Sequence, residues 1–301
     1  MKIAILRRHS LADSLARYTE HLAMTRQYSE RTKREYRDDA AHVVEHLATR
    51  CHIARAASVQ RPHLTAFLAH CAALGHAAST RRRSVAAIRS FFAFLVQERI
   101  IARSPAEDLL PPEREIRPPR VLSEDEYTRL RDAAADNTRD AALIELALQT
   151  GLRLSEIARL RVADIVLPPP STNTAIGHIR VAGRASRGRT VTLNGRACTA
   201  LRAYLAEREP SDSPALFLTK FDRGIGPRGI ENIVAKYREQ AGITNASVHS
   251  LRHTMAVQML KRGATPAIVG TALGHASPET TGIYVALARD AMDAELQAAR
   301  Y

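Results

Sequence analysis

A proline-rich stretch divides this chain into two parts. Five prolines fall between Pro105 and Pro119, inside the segment from Ser104 to Glu126. Proline lacks a backbone N–H and disfavours helix at the residue before it, so we expect no helix to run through this stretch. The 301 residues are enough for two domains, each with its own core. We predict domains at residues 1–103 and 121–301, joined by a linker at 104–120.

Helical patterns dominate both parts. Before the linker, apolar residues recur at three- and four-residue spacing in residues 10–24, 30–49, 61–74 and 80–98. After it, Ser123 and Glu126 have the spacing of a capping box that starts a helix, and similar patterns predict helices at 138–149, 196–207, 228–240, 250–262, 266–273 and 278–298. Two β-branched runs within 178–193 flank a basic turn and predict a β-hairpin. The predicted fold class is mainly α with a small β-sheet.

The charge of the chain favours a polyanionic partner. The formal net charge is +13 and the pI is near 10.3, and the excess is mostly arginine, whose fork of donors suits phosphate. The fourth helical segment begins with a basic cluster that we predict to contact DNA phosphates, with a solvated polar face as the alternative: Arg81, Arg82, Arg83 and Arg89.

Other classes of protein are disfavoured by what the sequence lacks. No run of about 18 apolar residues could span a bilayer, and the start does not have the order of a secretory signal. We expect a cytoplasmic protein with no membrane partner. Three widely spaced cysteines and the absence of metal-ligand spacings predict neither a disulfide framework, a metal site nor a cofactor.

Three short segments carry residues suited to phosphoryl chemistry. TGLRLSE holds Arg153 directly after a glycine turn, and HSLRHT holds His249 and Arg252 three residues apart, which puts both on one helical face. LGHASPETTGIYVAL adds His275 and Tyr284. Tyrosine at helical spacing in an apolar stretch is usually a core residue, so the case for Tyr284 depends on the other segments.

In this order and with this spacing, the segments resemble the tyrosine recombinase (phage integrase) family over nearly the whole chain. The resemblance implies a helical core DNA-binding domain and an α+β catalytic domain, closing round duplex DNA. It implies a site-specific recombinase that cuts and rejoins DNA through a 3′-phosphotyrosyl intermediate, without a cofactor. It also implies a homotetramer on specific recombination sites, with or without a second recombinase.

The resemblance gives each residue a role. Tyr284 would be the nucleophile, and Arg153 and Arg252 would clamp the scissile phosphate. His249 would act in acid–base transfer at the tyrosine oxygen, and His275 would hydrogen-bond the phosphate.

Glu156 lies three residues after Arg153 and has two open interpretations. It either orients the Arg153 guanidinium or forms an ordinary surface ion pair.

The hairpin turn departs from the family pattern. Members commonly carry a lysine there as general acid, but the run GRASRGR has Arg184 at that place. Arginine is a poor proton donor at neutral pH, so we expect Arg184 to stabilise the leaving 5′ oxygen while water or another group supplies the proton. A mere backbone contact is the alternative. Arg187 and Arg189 of the same run are predicted to contact DNA.

The segment after Tyr284 predicts a helix that exchanges between protomers in the family. Its apolar strip is formed by Ala286, Leu287, Ala291, Met292 and Leu296, and packing on its own domain is the alternative. About a hundred residues precede the linker, too few for an additional arm-binding domain. This indicates a simple two-domain XerC/XerD-like or transposon-encoded member, and the lost lysine slightly favours a mobile element.

Two rival functions stay open. A type IB topoisomerase shares the tyrosine and arginine chemistry but relaxes supercoils without exchanging partners. A DNA-binding protein that kept this fold and lost catalysis is the other, and the hairpin substitution is its only support.

Overall fold

The computed structural model describes residues 9–26, 28–113, 118–169, 176–183, 188–274 and 279–298. The chain forms two compact units, Met1–Ile116 and Arg117–Tyr301. Its described residues are mostly helical with one small sheet, as predicted. None of the helices within these ranges is long and apolar enough to cross a bilayer.

The N-terminal unit contains the four predicted helices. They are α1 (Leu11–Met24), α2 (Glu30–Thr49), α3 (Arg61–Ala73) and α4 (Ala78–Gln97). Serine caps begin the first two: Ser10 Oγ accepts from the Asp13 N–H at 3.0 Å, and Ser29 Oγ accepts from the Thr32 N–H at 3.1 Å. A short 3₁₀ turn at Ala56–Ser58, which the sequence patterns did not predict, precedes α3.

The proline-rich segment begins inside the N-terminal unit. Ala106 and Leu109 are buried in the same core as Phe91, and Arg82 Nη1 donates to the Pro112 carbonyl at 2.6 Å. The described residues from 104 to 113 are therefore fastened to this unit by apolar burial and a side-chain hydrogen bond. The predicted boundaries at 103/104 and 120/121 stay a prediction.

The C-terminal unit holds the remaining helices. They are α5 (Glu124–Ala133), α6 (Thr138–Thr150), α7 (Leu154–Ile157), α8 (Gly195–Glu207), α9 (Pro227–Gln240), α10 (Val248–Lys261), α11 (Pro266–Leu273) and α12 (Glu279–Ala298). The predicted capping box is confirmed, since Ser123 Oγ accepts from the Glu126 N–H at 3.2 Å and Glu126 Oε2 accepts from the Ser123 N–H at 2.9 Å. The four-residue helix α7 was not predicted.

The sheet has three antiparallel strands in the order β1 (Ile165–Val166), β2 (Gly177–Val181) and β3 (Arg189–Leu193). The predicted hairpin is formed by β2 and β3, with Ile179 opposite Val191 and Val181 opposite Arg189. These strands alternate buried and exposed positions, so one face of the sheet covers the core. The two-residue strand β1 was not predicted.

Helix α12 packs on its own unit. Tyr284 and Ala288, one turn apart, are buried with residues of α10 and α11 in a small apolar cluster. Within the predicted exchange strip, Ala286 is exposed and Met292 is 44% exposed. Leu287 of the strip is partly buried against the same cluster, so the strip is divided between packing on its own unit and exposure to solvent, and the exchange role stays a prediction.

Two glycines end helices in the left-handed conformation next to this cluster. Gly151 ends α6 with φ 57°, and Gly274 ends α11 with φ 66°. A Cβ on Gly151 would lie 2.8 Å from Leu273 Cδ2 and 3.2 Å from Met255 Sδ. Gly151 is therefore needed both for its backbone angle and for its lack of a side chain.

Replacing Gly151 by alanine tests this packing. We expect Gly151→Ala to lower the free energy of unfolding by about 2–4 kcal/mol, because strain at positive φ adds to overpacking against Leu273. Gly195→Ala is the matched control, since its Cβ would meet nothing within 4 Å. Denaturant unfolding should leave that control within about 0.5 kcal/mol of wild type. Equal stability of the two variants would contradict the constraint at Gly151.

Candidate active site

Arg252 is held inside the C-terminal unit by the ends of two helices. Its side chain lies on α10 and is only 7% exposed. Nη1 donates to the Gly151 carbonyl at 2.5 Å and Nη2 to the Leu273 carbonyl at 2.8 Å. These carbonyls lie at the C-terminal ends of α6 and α11, where helices carry partial negative charge. Burial, followed by the nearby Arg153, lowers the pKa of Arg252 to about 10, so the guanidinium stays charged at neutral pH.

Arg153 meets the same turn at the end of α11. It is the residue before α7, and its Nη2 donates to the Gly274 carbonyl at 2.7 Å. Because Leu273 and Gly274 are consecutive, their carbonyls bring the Arg153 and Arg252 side chains to one place. The αL conformation of Gly274 turns the chain there, and its missing Cβ leaves room for Arg189 Nη1, which such an atom would approach to 2.9 Å.

Glu156 joins two arginines. Its Oε1 accepts from Arg153 Nη1 at 3.0 Å, while Arg189 donates in bidentate fashion, from Nη1 at 2.8 Å and from Nη2 at 2.9 Å. The Arg153 backbone N–H donates to Glu156 Oε2 at 2.8 Å. Burial alone would raise the pKa of Glu156, but the hydrogen bonds from Arg189 and from the Arg153 backbone outweigh it and lower the pKa to about 2. The carboxylate is ionised over the whole neutral range.

Arg189 has contacts other than those expected from the sequence. Besides the pair with Glu156, its Nε donates to the Ala272 carbonyl at 3.1 Å, and its side chain is 18% exposed. Its guanidinium therefore connects β3 to α7 and to the end of α11. DNA contact by Arg189 stays a prediction. In the structure, Arg189 pairs with the same carboxylate as Arg153, that of Glu156.

Tyr284 is buried and hydrogen-bonded. It is 4% exposed, and its hydroxyl lies 2.8 Å from His253 Nδ1 on α10. Burial raises the pKa of Tyr284 and outweighs the opposing effect of Arg252, so the phenol is protonated at neutral pH. Tyr284 is thus buried like a core residue, but its hydroxyl lies next to the Arg252 guanidinium.

His253 was missed by the sequence reasoning. It follows Arg252 and lies one helical turn after His249, which is exposed in the first turn of α10. The four-residue spacing of the two histidines was the available signal, because it places both on one face. The acid–base role of His249 stays a prediction; the histidine described at hydrogen-bond distance from the tyrosine hydroxyl is His253.

Three predicted site residues, Arg184, Arg187 and His275, lie outside the described residues. The predicted phosphate contacts of α4 belong to the N-terminal unit. Arg83 Nε donates to the buried Asp39 at 2.8 Å, Arg81 Nε donates to the His76 carbonyl at 3.2 Å, and Arg89 is exposed. Arg81, Arg82 and Arg83 thus have contacts within their own unit, and DNA contact by this helix stays a prediction.

The arrangement is suited to binding an oxyanion beside a hydroxyl. Arg153 and Arg252 provide fixed cationic donors, and a guanidinium has five N–H groups, of which the carbonyls of α6 and α11 take two from Arg252. Such forks match phosphate oxygens. In the described part of the chain, no three His, Cys, Asp or Glu side chains are grouped to hold a metal ion. Arg252 places positive charge next to the Tyr284 hydroxyl.

Two family descriptions match the chain. Residues 120–290 match the phage integrase family, and residues 15–99 match the phage integrase N-terminal SAM-like domain. The first match includes Arg153, Arg252 and Tyr284, and the second includes most of α1 and all of α2, α3 and α4.

Individual relatives are similar over most of their length. A tyrosine recombinase XerC of Roseiflexus castenholzii is 34% identical over 282 residues, covering 90% of this chain and 87% of the relative. A crystal structure of XerH site-specific recombinase bound to palindromic difH substrate, a post-cleavage complex, has a TM-score of 0.76 at 18% identity, over 95% of this chain and 85% of that one. A lambda integrase tetramer bound to a Holliday junction has a TM-score of 0.73 at 17% identity, covering 92% and 78%. The two structures share the fold.

The shared carboxylate predicts a pH-dependent loss of stability. Glu156→Gln should lower the free energy of unfolding at pH 7 by about 2–4 kcal/mol, because it leaves Arg153 and Arg189 without their anion. The folded pKa of about 2 lies below the ordinary glutamate value of 4.5, so the contribution is present above about pH 4.5 and is lost as pH falls toward 2.

Denaturant unfolding of wild type and variant between pH 7 and pH 2 measures this difference. Asp125→Asn is the control, since the Asp125 side chain is 75% exposed in its pair with Arg129. That control should lose less than about 1 kcal/mol. A Glu156→Gln deficit that did not shrink below pH 4.5 would contradict the assignment.

Proposed function

Because the chain belongs to the phage integrase family, whose members include the tyrosine recombinases, we propose that it is a site-specific DNA recombinase. It cuts and rejoins duplex DNA through a 3′-phosphotyrosyl intermediate. The observation that carries the proposal is the Tyr284 hydroxyl buried beside Arg252, with Arg153 anchored on the same turn of α11.

The proposed step is an in-line displacement at phosphorus. The Tyr284 oxygen bonds to the scissile phosphorus, the bond from phosphorus to the 5′ oxygen breaks, and the phenol proton passes to His249 as the proposed base. Arg153 and Arg252 donate to the non-bridging oxygens, where negative charge accumulates. The new phosphodiester keeps the bond energy, so a 5′ hydroxyl can attack it and restore DNA without ATP.

Two histidines complete the proposed chemistry. His249 serves in acid–base transfer at the tyrosine oxygen, and His275 hydrogen-bonds the phosphate. Arg184 stabilises the leaving 5′ oxygen electrostatically, and water or another group protonates it, because an arginine gives up its proton poorly at neutral pH.

DNA binding and assembly extend the proposal. The XerH relative is a recombinase on its DNA substrate and the lambda integrase relative is a tetramer on a Holliday junction, and we extend both properties to this chain. The net charge of +13 supports a polyanionic partner. The predicted arginines of α4 and of the hairpin turn are the proposed backbone contacts, and the helical segment after Tyr284 is the proposed exchange helix.

A supercoiled plasmid with and without paired target sites distinguishes recombination from the topoisomerase alternative. Recombination requires both sites and yields rearranged products. Relaxation that occurs equally without sites, and no rearranged product, would favour a type IB topoisomerase.

The nucleophile is tested with a pool of nicked duplexes of randomised sequence, whose released short strand diffuses away and traps the covalent product. Wild type should give a protein–DNA band on a denaturing gel, and Tyr284→Phe should give none because the attacking oxygen is gone. Arg252→Lys should slow the reaction by about 100- to 1,000-fold, since the paired donors are lost.

Tyr127→Phe is the matched control. This tyrosine of α5 also has a hydrogen-bonded hydroxyl, 2.6 Å from Gln149 Nε2. Its variant should form the band at the wild-type rate. A band that persisted in Tyr284→Phe would refute Tyr284 as the nucleophile, and no band from wild type would count against the proposed chemistry.

A further inference from the structure

His253 and Tyr284 form a contact that the chemistry above leaves unexplained. The two residues lie 31 positions apart, on α10 and α12, and their polar atoms are 2.8 Å apart. Their ring centroids are 5.5 Å apart at an interplanar angle of 43°. The imidazole thus packs against the phenol as well as bonding to it.

The direction of this hydrogen bond follows from the neighbours. Arg252 has N–H donors only, so its hydrogen bond to Tyr284 uses a lone pair of the phenol oxygen. Burial, followed by His249 and Arg252, lowers the pKa of His253 to about 4, which leaves the imidazole neutral at pH 7. A neutral imidazole has one unprotonated nitrogen, and the phenol O–H is the donor available to it.

We propose that His253 is a positioning residue for Tyr284: its unprotonated Nδ1 accepts the hydroxyl proton in a hydrogen bond and fixes the rotation of the phenol O–H. With one lone pair directed at Arg252 and the O–H directed at His253, the phenol oxygen is held in one orientation for its attack on phosphorus. This role rests on the proposed function for its consequence, while the hydrogen bond itself can be tested without DNA.

Side-chain replacements separate the hydrogen bond from simple packing. His253→Asn puts an amide oxygen near the place of Nδ1 and cannot titrate, whereas His253→Gln puts its amide near the place of Nε2. His253→Ala removes the acceptor. If His253 positions Tyr284 through an acceptor at Nδ1, the His253→Ala and His253→Gln variants should cleave saturating DNA about 10- to 100-fold more slowly than wild type, with unchanged DNA affinity. His253→Asn should recover most of the wild-type cleavage rate.

The randomised nicked duplex pool serves as the probe, and single-turnover cleavage is measured beside gel-shift affinity and thermal unfolding. The proposal would be overturned if His253→Ala cleaved DNA at the wild-type rate, or if His253→Asn cleaved it as slowly as His253→Ala. A parallel loss of affinity and stability in all three variants would likewise overturn it in favour of a structural role.

A second measurement reads the hydrogen bond directly in the free protein. In long-range ¹H–¹⁵N spectra of ¹⁵N-histidine-labelled protein, one imidazole should have protonated Nε2 and a hydrogen-bonded, unprotonated Nδ1. Tyr284→Phe should move that Nδ1 resonance toward the value of a free acceptor, and Tyr127→Phe should not. No shift in Tyr284→Phe, or a protonated Nδ1, would overturn the proposal.

The two measurements distinguish the failures. A wild type that shows the spectroscopic hydrogen bond but forms no covalent DNA product refutes the recombinase chemistry and with it the positioning role. A wild type that forms the product while His253→Ala matches its rate refutes the role of His253 alone.

Discussion

Two guanidinium groups donate hydrogen bonds to the carbonyls of consecutive residues at the end of α11. Residues of α6, α10 and α11 and the residue before α7 contribute to this turn. Arg153 donates to Gly274 and Arg252 to Leu273, while Gly151 supplies a further carbonyl from the end of α6. Two like charges held together, one of them 7% exposed, need fixed negative partners. Helix C-termini provide them without flexible side chains, and the αL glycines give the backbone the turn this requires.

Glu156 supplies a further negative partner, which also pairs with Arg189 of the sheet. By pairing with Arg153 and Arg189, its carboxylate connects β3 to Arg153 and, through Arg153, to the turn at the end of α11. Since burial raises the pKa of the Tyr284 phenol, it stays neutral at physiological pH, and in the proposed reaction its oxygen would lose the proton as the bond to phosphorus forms.

Local patterns were enough to predict the long elements, because the apolar spacing and the Ser123–Glu126 capping box are properties of neighbouring residues. β1 and α7 were missed because two and four residues are too short to show a period. The contacts of Arg189 and His253 depend on partners 33 and 31 positions away. A weak signal existed for Arg189, since the alternation of β3 puts it on the same face as Val191 and Leu193. Because charged side chains are usually exposed, Arg189 was predicted to contact DNA and not to lie on the inward face.

Mass spectrometry of the covalent product tests the central claim most directly. After nuclease and trypsin digestion, the peptide of residues 263–289 contains Tyr284 as its one tyrosine. A 3′-phosphotyrosyl intermediate predicts that this peptide carries the mass of a residual nucleotide, with fragment ions locating it on Tyr284. The nucleotide mass on another peptide, or an unmodified 263–289 peptide in isolated covalent product, would contradict the account.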